Sequence, residues 1–245
     1  MKPGATMAAV LAAVALATPA LVTPAWAATT DLVVHCDPPL VGPLQAIAAA
    51  FRAQTGVRAR VFPTMPNGIP AQLAREIQND IVVTQPEILA RIGAAGFLGD
   101  IPSSARWRNR IVLAAPRGAA PRGTPQRPIG EATVAAPDPV WGGGLDGPAI
   151  LAAAALRPGK IAGTYDTAEA RALVLSGEAA YALLHASELG MELEALDMPG
   201  LTAERIAVAA VSKSPRRPNP GALIRFLATQ EAAAILRNAG LEAMS

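Results

Sequence analysis

The chain has 245 residues, with 21 basic and 19 acidic side chains and a formal net charge of +2. The basic residues are scattered and not clustered, so we expect no nucleic-acid partner. A single cysteine excludes a disulfide within the chain, and the chain has two histidines, His35 and His185.

The first 27 residues have the features of a secretory signal peptide. Lys2 precedes an apolar stretch over 7–22, and Ala25-Trp26-Ala27 forms a small-x-small cleavage site. Prolines interrupt the apolar stretch, which disfavours a permanent membrane anchor. We therefore predict a signal peptide over 1–27, cleaved near Ala27, and a mature protein that is located in the periplasm.

The first half of the mature chain alternates short apolar strands with helical segments that carry apolar residues on one face. The predicted strands are 31–36, 57–62 and 80–84, and the predicted helices are 40–54, 71–78 and 87–95. Such alternation predicts parallel strands with right-handed crossovers, and ligands of such sheets bind beyond the carboxyl ends of the strands. The loops after Cys36, Phe62 and Thr84 are therefore the first candidates for a binding site.

A second α/β cycle follows a strand at 110–115 and an exposed connector at 116–128 that is rich in proline and glycine. Further strands are predicted at 132–136, 160–164, 180–185 and 206–212, and helices at 148–156, 166–175, 186–193, 221–228 and 230–238. Asp166 and Glu169 have the spacing of a capping box. The pattern predicts one lobe over 28–113 and 208–245 and a second over 114–207.

Several of these segments match a known family in order and spacing. They are Leu44–Val57, Ala71–Thr84, Ala135–Pro139, Gly177–Leu184 and Phe226–Gly240. Together they make the chain resemble the molybdate-binding (ModA-like) group of type 2 periplasmic solute-binding proteins. The resemblance implies an α/β fold of two lobes, with two parallel-type sheets flanked by helices and joined by two crossing strands. It also implies a partner, the ABC-type permease of the inner membrane. We expect the mature protein to be a monomer.

The resemblance also indicates which residues would contact the ligand. In that family, hydroxyl groups and backbone N–H groups at helix N-termini hold an oxyanion. The corresponding loops carry the candidate ligand-binding residues Asp37, Thr64, Asn67, Asp138 and Thr167. Prolines in these loops have no N–H to donate, and Asp37 adds negative charge. Asp138 has a second reading, as a helix cap.

Both histidines, the cysteine and a methionine fall in or beside the same loops. His35, Cys36, Met65 and His185 are residue types that bind copper or zinc. The first hypothesis is therefore a receptor whose ligand is a transition-metal ion, with Cu or Zn bound as ligand and no other cofactor. A molybdate- or tungstate-type oxyanion, a cationic or polyol-like organic ligand, and a periplasmic metal chaperone remain alternatives. Cys36 also has a simpler reading, as a small buried hydrophobe.

An enzyme is the remaining class of function to consider. Cys36 and His185 could form a nucleophile and base pair. The chain contains no Gly-x-Ser-x-Gly segment, and the loop prolines leave few N–H groups for an oxyanion hole. We therefore predict a binding protein without catalytic residues.

Overall fold

The computed structural model describes residues 31–75, 79–99, 105–119, 129–141, 145–196, 198, 200–211 and 220–244. The predicted signal peptide and most of the predicted connector at 116–128 lie outside these ranges. In the described part of the chain, no helix is long and apolar enough to span a membrane.

Strands and helices alternate along most of the described chain. The strands are β1 Leu32–Cys36, β2 Ala59–Pro63, β3 Ile81–Thr84, β4 Ala105–Pro116, β5 Thr133–Pro137, β6 Lys160–Thr164, β7 Tyr181–His185, β8 Leu193–Leu196, β9 Ala203–Ala210 and β10 Leu241–Ala243. The helices are α1 Val41–Thr55, α2 Ile69–Ala74, α3 Pro86–Ala94, α4 Gly147–Ala153, α5 Thr167–Leu175, α6 Pro220–Phe226 and α7 Gln230–Asn238. Short 3-10 turns occupy Pro38–Leu40, Pro66–Gly68, Pro139–Trp141 and Ala186–Glu188.

The strands form two sheets of the same design. In the first sheet β2, β1 and β3 are parallel, and β9 pairs antiparallel with β3. In the second sheet β6, β5 and β7 are parallel, and β4 and β8 complete it in the antiparallel sense. The predicted fold class, α/β with two lobes, is confirmed.

One strand, β4, belongs to both sheets. From Ala105 to Arg110 it pairs with β9, and from Ile111 to Pro116 it pairs with β7 and β8. The chain returns to the first sheet at Thr202, whose carbonyl accepts a hydrogen bond of 2.9 Å from the backbone N–H of Ile111. The change of pairing partner therefore falls between Arg110 and Ile111, and the lobe boundaries after 113 and 207 stay a prediction.

Each sheet is covered on both faces. In the first lobe, Val34, Ile81 and Val83 pack with α1, α6 and α7, whereas Val82 points to the opposite face, toward α2 and α3. This alternation follows from the two-residue period of a strand, and burial of both faces is typical of parallel sheets. The second lobe likewise has two clusters of buried apolar residues, one on each face of its sheet.

The structure differs from the predicted elements mainly after β7. The helix predicted over 186–193 is wrong: a 3-10 turn ends at Glu188, and β8 begins at Leu193. Gly190 has a φ of +62°, which ends helical geometry, and the following residues pair with β4 instead. The strand predicted at 206–212 begins at Ala203 and pairs within the first sheet, while residues 212–219 lie outside the described ranges.

Candidate functional site

A narrow cleft lies between the two lobes. It encloses about 30 Å³, room for about two water molecules. The first lobe contributes the loops after β1 and β3 and the turn before α2, and the second lobe contributes the N-terminus of α5 and the end of β7. The lining residues are Asp37, Pro38, Pro39, Pro66, Gln85, Leu145, Asp166, Thr167, His185 and Glu204. Carboxyl ends of parallel strands therefore meet here, as expected for this class of sheet.

Asp37 is the most deeply buried carboxylate of the cleft wall. It follows β1 directly and is 4% exposed. Its Oδ1 accepts a hydrogen bond of 2.7 Å from the Thr84 hydroxyl, whereas its buried Oδ2 has no hydrogen-bond partner. Burial raises the pKa of Asp37 to about 7; the Thr84 hydrogen bond lowers it, Glu204 raises it, and His185 lowers it. One carboxylate oxygen is thus held by the protein and the other is left for a donor.

His185 stands at the floor of the cleft between two glutamates. Its Nδ1 lies 3.0 Å from Glu188 Oε2, and its Nε2 lies 3.1 Å from Glu204 Oε2. Burial alone would lower the pKa of His185, but the hydrogen bonds and charges of the two glutamates outweigh burial and raise the pKa to about 10. The ring is therefore an imidazolium near neutral pH, and both of its N–H groups donate to glutamates.

Glu188 collects donors from three directions. Besides the His185 ring, its carboxylate accepts the His185 backbone N–H at 3.0 Å and the Thr167 hydroxyl at 2.5 Å. Burial raises the pKa of Glu188, but the bonds and charge of His185 outweigh burial and lower the pKa overall. This network fixes the end of β7 to the N-terminus of α5, so the second-lobe wall of the cleft is rigid.

A second hydrogen-bond chain joins the lobes beside the cleft. The Ser187 hydroxyl donates to the Pro39 carbonyl of the first lobe at 2.8 Å and accepts from Asn109 Nδ2 at 2.8 Å. Asn109 lies on β4, opposite Glu204 of β9, just before β4 changes sheets. Direct hydrogen bonds therefore connect the two lobes next to the crossing point.

The four predicted metal ligands do not form one site. His35 donates to or accepts from Thr64 Oγ1 at 2.7 Å and stacks on Phe62, with ring centroids 5.7 Å apart. Cys36 is fully buried in the first-lobe core, and burial raises the pKa of its thiol. Met65 precedes the 3-10 turn at Pro66 and does not line the cleft. Within the described ranges, no three His, Cys, Asp or Glu side chains are placed to hold a metal ion. The predicted Cu or Zn site is not supported.

The predicted ligand-binding residues also separate. Asp37 and Thr167 line the cleft, as does His185 from the metal set. Thr64 is buried against His35, and Asn67 accepts from Arg91 Nη2 at 3.0 Å on the surface. Asp138 accepts the Val140 backbone N–H at 2.9 Å, which is the capping role that the sequence also allowed.

Among the site residues that were not predicted are Gln85, Leu145 and Glu204, which line the cleft, and Glu188, which bonds the His185 ring. Gln85 is the N-cap of α3 and lies in the loop after Thr84, which the sequence predicted as a candidate binding loop. Glu188 follows His185 at the three-residue spacing of a cap, which is a local signal. Glu204 reaches the cleft only because β9 lies beside β4 at the crossing point, so no local pattern identifies it.

Cys36 and His185 do not form the nucleophile and base pair that the sequence left open. Cys36 is packed in the core, and both ring nitrogens of His185 are held by glutamates. A two-lobed α/β fold with a cleft lined from both sides is the architecture of solute-binding proteins.

The comparisons agree with this class. The family of bacterial extracellular solute-binding proteins matches residues 32–242, and the chain belongs to that family. Members of the family are binding proteins and not enzymes, and the family is extracellular. No curated protein sequence matches the chain significantly.

Solved structures give the same fold at low sequence identity. The periplasmic molybdate-binding protein of Azotobacter vinelandii superposes with a TM-score of 0.69 at 16% identity, covering 88% of this chain and 100% of the other. The sulfate-binding protein SubI of Mycobacterium tuberculosis has a TM-score of 0.68 at 18% identity, covering 88% and 87%. L-phospholactate-bound PEB3, from Campylobacter jejuni, has a TM-score of 0.65 at 15% identity, covering 86% and 99%. The ModA-like resemblance is confirmed at the level of fold and family.

Proposed function

We propose that this protein is a periplasmic receptor that captures a small solute between its lobes and delivers it to an ABC-type permease. The observation that carries the proposal is the cleft itself, with Asp37 from one lobe and Thr167 and His185 from the other. A wall contributed by both lobes makes bound ligand and closed lobes mutually stabilising, and a permease can recognise the closed form.

The relatives bind molybdate, sulfate and L-phospholactate, so an oxyanion is the candidate that the fold suggests first. Fold alone does not define a ligand, since function depends on the residues of the site. In this chain the described cleft lining contains several carboxylates and prolines, which differ from a donor-rich oxyanion site. The first experiment therefore needs ligands of every charge class.

The test is thermal unfolding of the metal-stripped mature chain, residues 28–245, with molybdate, sulfate, inorganic phosphate, ethanolamine, putrescine, guanidinium, Zn²⁺ and Cu⁺, followed by a bacterial metabolite extract. A ligand at a hundredfold excess over its Kd adds about 2.7 kcal/mol to the free energy of unfolding. For a chain of this size we expect Tm to rise by roughly 5 to 10 °C.

A matched pair of variants locates the effect in the cleft. Gln85→Trp places an indole at the half-buried cleft residue Gln85, and Gln230→Trp places one at an exposed position on α7. We expect the first variant to lose the ligand-induced Tm rise and the second to retain it. No stabilisation by any probe or by the extract, or equal stabilisation of both variants, would reject a receptor function for this cleft.

A further inference from the structure

One hydrogen-bond acceptor of a cleft residue has no partner within the described protein. Asp37 is only 4% exposed. Its Oδ1 accepts a hydrogen bond from Thr84, but its Oδ2 has no hydrogen-bond partner. Buried polar atoms are normally paired, because an unpaired one loses its hydration without compensation. A buried, unpaired carboxylate oxygen on a residue that lines a ligand cleft indicates a ligand that brings a donor to it.

Most side-chain donors of the cleft are already used, and three of its lining residues have no backbone N–H. Pro38, Pro39 and Pro66 face the cleft and have no backbone N–H. The Thr167 hydroxyl donates to Glu188, and both ring N–H groups of His185 donate to glutamates. An oxyanion needs several converging donors, and among the described lining residues the Gln85 amide is the main side-chain donor left.

The charges of the cleft also favour a positively charged ligand. Asp37, Asp166 and Glu204 are its carboxylates, and His185 is its one cation among the described lining residues, which include no lysine or arginine. The His185 charge is held by two glutamates and offsets Asp37 only in part, so the carboxylates outnumber the cation. A doubly charged anion would be repelled here, whereas a positive group would be attracted.

We propose that the ligand is a small organic cation whose ammonium or guanidinium N–H groups donate to Asp37 Oδ2, with Glu204 close by. Its carbon atoms pack against the apolar part of the lining, which is formed by Pro38, Pro39, Pro66 and Leu145. This inference rests on the proposed receptor function. An organic cation fits better than a metal ion because the described residues hold no cluster of three metal-binding side chains.

The test measures binding by calorimetry to the mature chain at pH 7.5, with ethanolamine, putrescine and guanidinium as donor-bearing cations. Choline is the matched cation without an N–H donor, and molybdate, sulfate and Zn²⁺ represent the other classes. We expect at least one donor-bearing cation to bind at least tenfold more tightly than choline, and no binding of molybdate or sulfate.

Two variants test the assignment to Asp37. Asp37→Asn keeps the shape and removes the charge, and Glu178→Gln removes an exposed charge remote from the cleft. We expect Asp37→Asn to weaken cation binding at least tenfold and Glu178→Gln to leave it unchanged. Glu204→Gln, expected to weaken binding to a smaller extent, serves as the second cleft variant if Asp37→Asn does not fold.

The outcomes separate this inference from the receptor function. Binding of molybdate, sulfate or Zn²⁺ at the cleft, with no donor-bearing cation bound, overturns the inference and leaves the receptor function standing. Cation binding that neither Asp37→Asn nor Glu204→Gln weakens also overturns it. If no probe binds and the metabolite extract gives no stabilisation, both proposals fail together.

Discussion

At the scale of single residues, the cleft depends on how buried charges are compensated. The His185 imidazolium is held between Glu188 and Glu204, and Glu188 receives a further bond from Thr167. Removing one member of such a group leaves a buried charge without its partner, which costs more than the pair contributes. Asp37 is the exception, because its buried Oδ2 has no hydrogen-bond partner in the protein and would receive one from the proposed ligand.

His185 should make the stability of the folded protein depend on alkaline pH. Its folded-state pKa of about 10 is above the ordinary histidine pKa of 6.5, so between these values the folded chain keeps a proton that the unfolded chain releases. The stabilisation is complete below pH 6.5 and is lost as pH rises through 10, at about 1.4 kcal/mol per pH unit within that window. Urea unfolding of the wild type and His185→Gln at pH 6, 7.5 and 9 measures this slope.

The difference between the two proteins reports on His185 together with the carboxylates whose pKa it shifts, chiefly Asp37 near pH 7, so the comparison from pH 7.5 to pH 9 is the one that follows the His185 ring. We expect the advantage of the wild type to shrink from pH 7.5 to pH 9. Parallel stability curves for the wild type and His185→Gln across this range would show that the ring is neutral in the folded protein, contrary to the geometry.

The sequence predicted part of this site. Asp37, Thr167 and His185, which the sequence singled out, line the cleft because they lie at strand ends or begin a helix, and such positions can be read locally. The grouping of His35 with Cys36 failed because neighbouring strand residues face opposite ways, and Cys36 faces the core. Glu204 could not be found because its place depends on pairing between distant strands.

At the scale of elements, the turn between α7 and β10 is fitted closely to the second lobe. Gly240 has a φ of +88°, and a Cβ there would lie 2.8 Å from the Ala186 carbonyl oxygen. Gly56, at the end of α1, has a similar φ of +72° but open space around it. Substitutions at the two glycines therefore distinguish the cost of backbone strain, which both positions share, from the cost of close approach to the second lobe, which only Gly240 has.

Gly240→Ala should destabilise the protein more than Gly56→Ala. A left-handed conformation costs alanine about 1 kcal/mol at either position, and the clash at 240 adds about 1 to 3 kcal/mol more. Urea unfolding gives both values. Equal losses of stability in the two variants would indicate that the turn at 240 moves away from Ala186 at little cost.

Most strands and helices were predictable because their apolar periodicity and their glycine or proline boundaries are local features. β8 and β10 were missed because both are short edge additions to β4, and their strand conformation comes from that pairing. The predicted helix at 186–193 failed for the same reason, since tertiary pairing overrode local helical tendency.

At the scale of the whole molecule, the lobes are joined where the cleft has its floor. β4 changes sheets between Arg110 and Ile111, next to Asn109, Glu204 and the end of β7. Atoms near a pivot move least when two bodies rotate, so the floor should keep its geometry when the lobes part. The Ser187 to Pro39 bond lies across the gap and is one contact that opening must break.

The buried position of the one cysteine makes it an internal reporter of unfolding. Cys36 is enclosed in the first-lobe core, so a thiol reagent such as Ellman's reagent reaches it only when that core opens. We expect the native protein to react orders of magnitude more slowly than the protein in urea, and a bound ligand to slow the reaction further by stabilising the closed state. Rapid labelling of the native protein would show that the first lobe opens independently of the second. The rate at which Cys36 is labelled therefore measures the opening of the first-lobe core without any engineered label.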